Sequence, residues 1–132
     1  MPIPEVLQGI NAYTMGARTV NPQATVRVVW TNAWYDPGKE ADATKSLIGQ
    51  GADVITHHTN STAVASTAEE AKVPVISYHS AMHKAAPTML KGAVVHRWEE
   101  YYTKEIQKVF DGKWDNTPVW GGVPVSYTHL TL

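Results

Sequence analysis

Val28-Val29-Trp30-Thr31-Asn32-Ala33-Trp34-Tyr35-Asp36-Pro37-Gly38-Lys39-Glu40 is the stretch around which the chain is organised. It begins in an apolar, β-branched run over residues 26–30, broken only by Arg27, which predicts a mostly buried strand. Asp36 is a helix-capping residue, and Pro37 suits the first helical position. A helix is therefore expected from about Lys39 to Gln50, where Gly51 stops it. Asn32, Ala33, Trp34 and Tyr35 then lie on a strand-to-helix loop at the carboxyl end of a strand. Open α/β sheets bind ligands at that edge. Two indoles beside an asparagine suit a planar, hydrogen-bonding ligand, and they suit a packed core or a lobe interface equally well.

The same alternation extends outward on both sides. Upstream, Val6, Leu7, Ile10, Tyr13, Thr14 and Ala17 recur at three- and four-residue steps, which predicts a helix over 4–19 ended by Asn21-Pro22. Downstream, strands are expected over 53–57, 73–78 and 93–96, and helices over 62–72, 82–89 and 99–110. Asn60 or Ser61 can cap the first of these helices. Residues 114–122 read as a loop or short strand. Strands and helices that alternate with short connections predict an α/β fold, an open parallel sheet with helices on both faces. The ligand-binding lobe is expected over residues 1–122. Residues 123–132, which include Tyr127-Thr128-His129-Leu130-Thr131-Leu132, resemble a translated sequencing adapter and are expected to be a non-native tail.

Composition narrows the function. The 132 residues carry a net charge of −1, with no basic patch to suggest nucleic acid. Cysteine is absent, which removes disulfides, thiolate metal sites and cysteine nucleophiles. No apolar run approaches a membrane span and Met1 opens no secretory signal, so direct membrane insertion by this segment is not expected. Five Trp and six Tyr against one Phe favour aromatics with a polar handle, common at ligand and protein interfaces.

The expected turns matter most. Four strands run into Asn32-Ala33-Trp34, His58-Thr59-Asn60, His79-Ser80 and Arg97-Trp98. In a parallel sheet these share one edge, where donors, acceptors and flat rings would form half of a small-molecule cleft. His57, His58, His79, His83 and His96 do not make a metal motif, because adjacent strand residues point to opposite faces and no His-x-Glu-x-x-His pattern occurs. No metal ligand and no cofactor is expected. There is no Gly-x-Ser-x-Gly elbow, no Gly-x-Gly-x-x-Gly turn and no P-loop. No nucleophile and base stand at a recognisable spacing, so the chain is not expected to be an enzyme.

These residues carry a resemblance. Pro2-Ile3-Pro4-Glu5-Val6, Gly9-Ile10-Asn11-Ala12-Tyr13 and the Val29 to Glu40 string resemble the basic membrane protein (BMP) family. So do Gln50-Gly51-Ala52-Asp53-Val54-Ile55, His58-Thr59, Tyr78-His79-Ser80, and Trp98 with Tyr101-Tyr102. The family comprises ABC-importer substrate-binding proteins with a type I periplasmic-binding-protein fold. The resemblance implies one lobe of such a protein, mainly the second, with the first lobe and hinge returns missing. It implies a purine-like base or nucleoside as ligand, held between lobes, and an ABC permease as partner. It also implies a location in the periplasm or at the outer face of the cytoplasmic membrane, often with a lipoprotein anchor. Carried over by position, the ligand-binding candidates are Asn32, Trp34, His58, Thr59, Asn60, His79, Ser80 and Trp98. Asn60 and Ala81 stand where aspartate is common in nucleoside-binding relatives, so a free base, or a less polar purine-like ligand, becomes more plausible than a nucleoside. The alternative is a ligand-sensing effector domain of a receptor or transcription regulator with the same fold.

Overall fold

The computed structural model describes residues 1–122 and the strand pairing of 128–131. The elements are α1 (Pro4–Val20), α2 (Pro37–Gly49), β1 (Ile55–Thr56), α3 (Ala63–Ala71), β2 (Val75–His79), β3 (Leu90–His96), α4 (Glu99–Phe110) and β4 (Thr128–Thr131). The sheet order is β1-β2-β3-β4, with β1, β2 and β3 mutually parallel and β4 antiparallel to β3. The expected α/β architecture with a parallel sheet is therefore present. Of the expected non-native tail, residues 123–127 and 132 lie outside the described residues, and Thr128–Thr131 pairs with β3 from Ala93↔Thr131 to His96↔Thr128.

Local chemistry sets the helix ends. Asp36 caps α2 as expected, its side chain accepting from the Lys39 amide at 3.1 Å, and Pro37 sits in the first turn. Gly51 follows α2 at φ 88°, a left-handed conformation that costs a Cβ-free residue nothing, and lets Ala52 N–H close back on Leu47 O at 3.1 Å. The expected 99–110 helix is present as α4, with Glu99 and Glu100 in its first turn, where the helix dipole favours negative charge.

The core lies between the sheet and the α2–α3 layer. Ile55 and Val75 from the strands meet Val64, Ala65 and Ala68 from α3, with Met82 and Ala86 closing one end. Ala65 and Ala68 are fully buried, so the small face of α3 lets the helix approach the strands closely. Burying one side chain the size of Val75 contributes roughly 1.5–3 kcal/mol. Glu69 ties the far end of α3 to the start of β3: its carboxylate accepts from the Thr88 hydroxyl, from Thr88 N–H at 3.0 Å and from Met89 N–H at 2.7 Å.

Two expected elements differ. Residues 26–30 carry no regular secondary structure, and Val28, Val29 and Trp30 are exposed. An apolar, β-branched run becomes a strand only when a neighbour offers ladder partners. Here β1, the edge strand, is two residues long and offers little ladder, and the link seen from the run is Arg27 Nη1–H donating to Gln50 O at 3.2 Å. Residues 82–89 form turns, not a helix: Ala85 and Ala86 N–H both close on Met82 O at 3.0 Å, and Pro87 cannot donate to continue the ladder.

Candidate functional site

Because β1, β2 and β3 are parallel, their carboxyl ends share one edge. The chain leaves them through His57–Asn60, His79–Ser80 and Arg97–Trp98. The Trp34 loop joins the same edge through a bond from Asn60 N–H to Trp34 O at 2.9 Å.

The rings at this edge form a continuous strip. Trp34 meets His58 edge-on at 5.8 Å between centroids, and His58 lies 4.4 Å from Tyr78. Tyr78 and His79 both contact His96, each at 5.3 Å. His96 leads to Trp98 at 5.9 Å, and Trp98 lies nearly parallel to Tyr102 at 6.1 Å. Trp34 and Trp98 are 39% and 46% exposed, so each keeps a free face while its neighbours orient it. Offset and edge-on ring contacts at these spacings are favourable, about 0.5–1.5 kcal/mol each beyond area burial.

Backbone geometry serves the same edge. Asn32 and His79 adopt left-handed φ values of 54° and 69°. Asparagine tolerates that region, and for histidine it is an uncommon choice held by its surroundings. The brace is Ser77, 1% exposed, whose hydroxyl donates to Ser80 O at 2.7 Å and closes the turn over His79.

The imidazoles are tuned towards neutrality. Burial holds the His57, His58 and His79 rings below the ordinary histidine value, and like-charge neighbours add to this at His58 and His79. His57 Nδ1–H donates to Thr59 O at 2.9 Å, which fixes its tautomer. A neutral imidazole offers one donor and one acceptor. The edge is thus a ring-rich surface with hydrogen-bonding rims, and the Glu5 carboxylate lies within electrostatic reach of His58, Tyr78 and His79. Among the described residues, no group of three or more His, Cys, Asp or Glu side chains is placed to hold a metal ion.

The structure brings Trp34, His58, His79 and Trp98 into the strip. Asn32 and Asn60 are exposed on the adjoining loops. Thr59 turns inward, its hydroxyl donating to Glu40 Oε2 at 2.8 Å. Ser80 instead lines an open groove of about 660 Å³ with Thr62, Ser66 and the 81–85 turn. Tyr78 and His96 are central rings that the turn-by-turn reading of the sequence missed. The last residue of each strand belongs to the edge as much as the turn that follows, and that signal was available in the strand boundaries. Glu40 was also missed, since in sequence it is one more first-turn glutamate.

The family model for PnrA-like ABC-transporter substrate-binding proteins matches residues 1–127. The chain belongs to this family. A purine-binding protein of Brucella abortus is 46% identical over 123 residues, covering 93% of this chain and 35% of the relative. A Haloferax volcanii protein named as an ABC-transporter glucose-binding protein is 37% identical over 122 residues, covering 92% and 31%. The chain thus spans about a third of the length of these relatives. Two solved structures share its fold. A solute-binding protein of an ABC transporter system from Conexibacter woesei superposes with TM-score 0.70 at 19% identity, covering 89% of this chain and 39% of that one. A transcriptional activator of the comK gene from Bacillus halodurans superposes with TM-score 0.80 at 15% identity, covering 92% and 43%. These likenesses show the fold alone, and the family match sets this chain among PnrA-like substrate-binding proteins of ABC transporters. No helix among the described residues is long and apolar enough to cross a membrane.

Proposed function

We propose that the strip from Trp34 to Trp98 is one wall of a purine site in an ABC-importer binding protein, acting outside the cytoplasmic membrane and delivering its ligand to a permease. The observation that carries this reading is the run of ring contacts across the ends of three parallel strands. An aromatic platform with neutral hydrogen-bonding rims matches a heteroaromatic base, which presents a π-face for stacking and an edge of donors and acceptors. Trp34 and Trp98 stack, while Asn32, Asn60, His58 and His79 read the edge. Thr59 contributes indirectly through its turn, and Ser80 through its backbone. The purine-binding relative supports the same ligand class. Asn60 and Ala81 stand where aspartate is common in nucleoside-binding relatives, which favours a base over a nucleoside. The role is binding and release, not catalysis.

A thermal-shift panel on the full chain tests this, with adenine, guanine, their nucleosides, glucose and an unrelated amino acid. A ligand that prefers the folded state raises its stability by mass action, about 2.7 kcal/mol at a hundredfold excess over Kd. Stabilisation by purines, with bases ahead of nucleosides, is expected. Stabilisation by glucose alone would assign the platform to sugar stacking and overturn the purine reading.

A further inference from the structure

Glu40 lies in the first turn of α2, behind the strip, and is 1% exposed. Three donors converge on its two carboxylate oxygens. Asp36 N–H reaches Oε1 at 3.0 Å, and the hydroxyls of Thr59 and Ser61 reach Oε2 at 2.8 and 2.7 Å. Burying a carboxylate is costly unless such bonds replace its water. What matters is where the donors come from. Asp36 ends the Trp34 loop, while Thr59 and Ser61 flank Asn60 in the turn after β1. The Ser61 hydroxyl also accepts from Ala63 N–H at 3.1 Å, which extends the tie to the start of α3. The backbone bond from Asn60 N–H to Trp34 O runs beside it.

From this convergence we infer that Glu40 is a positioning residue, one that joins the Trp34 loop and the 58–60 turn into a single rigid ligand-facing unit. It sets the edge-on meeting of Trp34 and His58 without contacting the ligand. The inference rests on the reading of this edge as a binding wall. A site whose first layer is fixed by a buried second layer has less ordering left to supply on binding, so loosening Glu40 weakens affinity while the rings stay intact.

The test measures amide exchange at Asp36 and Asn60 in the ligand-free full chain, together with adenine affinity by calorimetry, for wild type, Glu40→Ala, Glu40→Gln and Ser61→Ala. Amides in Val75–His79 serve as the folding control. Glu40→Ala is expected to speed exchange at Asp36 and Asn60 at least about tenfold more than at the control amides, and to weaken adenine binding by a similar factor. Glu40→Gln keeps one carbonyl acceptor and should fall between Ala and wild type, a graded rescue that loss of bulk packing would not produce. Should Glu40→Ala fail to fold, Ser61→Ala removes one bond and should speed Asn60 exchange about threefold. Unchanged protection at Asn60 and Asp36 in folded variants would overturn the role. So would lost protection with unchanged adenine affinity. A wild-type chain that fails to bind adenine would count against the purine reading alone, and the exchange pattern would still decide whether Glu40 joins the two loops.

Discussion

The two ends of the aromatic strip are held in opposite ways. At the Trp34 end the brace is a buried carboxylate on another element, which gathers donors from two separate turns. At the Trp98 end a polar contact among the described residues is local and on the surface: Arg97 pairs with Glu99 at 2.8 Å, with both side chains substantially exposed. The helix behind each end follows the same division. Helix α3 buries Val64, Ala65, Thr67 and Ala68, whereas α4 buries no residue and leaves Tyr102, Ile106, Val109 and Phe110 exposed. The same aromatic chemistry thus stands on a buried polar frame at one end and beside a helix with an exposed apolar face at the other. The two ends differ in how many buried donors their turns satisfy, not in whether they carry rings.

The largest expected effect breaks the braced end. Glu40→Ala leaves three donors without their acceptor and should lower unfolding free energy by about 3 kcal/mol, read by urea denaturation. A loss below about 1 kcal/mol would mean that water replaces the carboxylate without penalty. Ring removal comes next. Trp34→Ala should weaken purine binding by about 2 kcal/mol, within the range for base–aromatic stacking, and Trp98→Ala by less, because its turn has more ordering left to lose. Equal losses at both positions would erase the functional side of the comparison. Ser77→Ala removes the hydroxyl that braces the turn over His79 and should cost about 1 kcal/mol in stability.

Acid should act more gradually, in two windows. Because the folded protein keeps His57, His58 and His79 below their ordinary 6.5, the unfolded chain binds protons first as pH falls. Stability should therefore be level above about 6.5 and decline below it, towards the depressed folded values. A second decline should follow between 4.5 and about 2. Hydrogen bonds from the Thr88 hydroxyl, then from the Met89 and Thr88 amides, hold Glu69 down to about 2, so the unfolded chain again protonates first. Thermal midpoints across about pH 2–8 would check both; stability that rises on acidification from about pH 7 would contradict the sign. The smallest effect belongs to the surface pair: Arg97→Ala should leave the denaturation midpoint unchanged, since exposed pairs contribute little.

Much of this was legible in the sequence because the signals are local. Asp36-Pro37 and Gly51 place the ends of α2, the 3.6-residue period places α1, and Glu99-Glu100 with Gly112 place α4. The alternation of strand and helix requires a parallel sheet, which alone sends the outgoing turns to one edge. The PnrA-like family, too, can be recognised from short strings such as Trp34-Tyr35-Asp36-Pro37-Gly38-Lys39-Glu40. What only the tertiary structure decided depends on partners distant in the chain. Residues 26–30 have the composition of a strand yet form none, because ladder bonds belong to pairs of segments and no run can supply both sides. Thr59 reads as a ligand-facing hydroxyl until a carboxylate nineteen residues away claims its proton. Tyr78 and His96 join the strip because the registers of three strands bring their ends level. Glu40 becomes a keystone because folding buries it where three donors meet, and burial gives those bonds their strength.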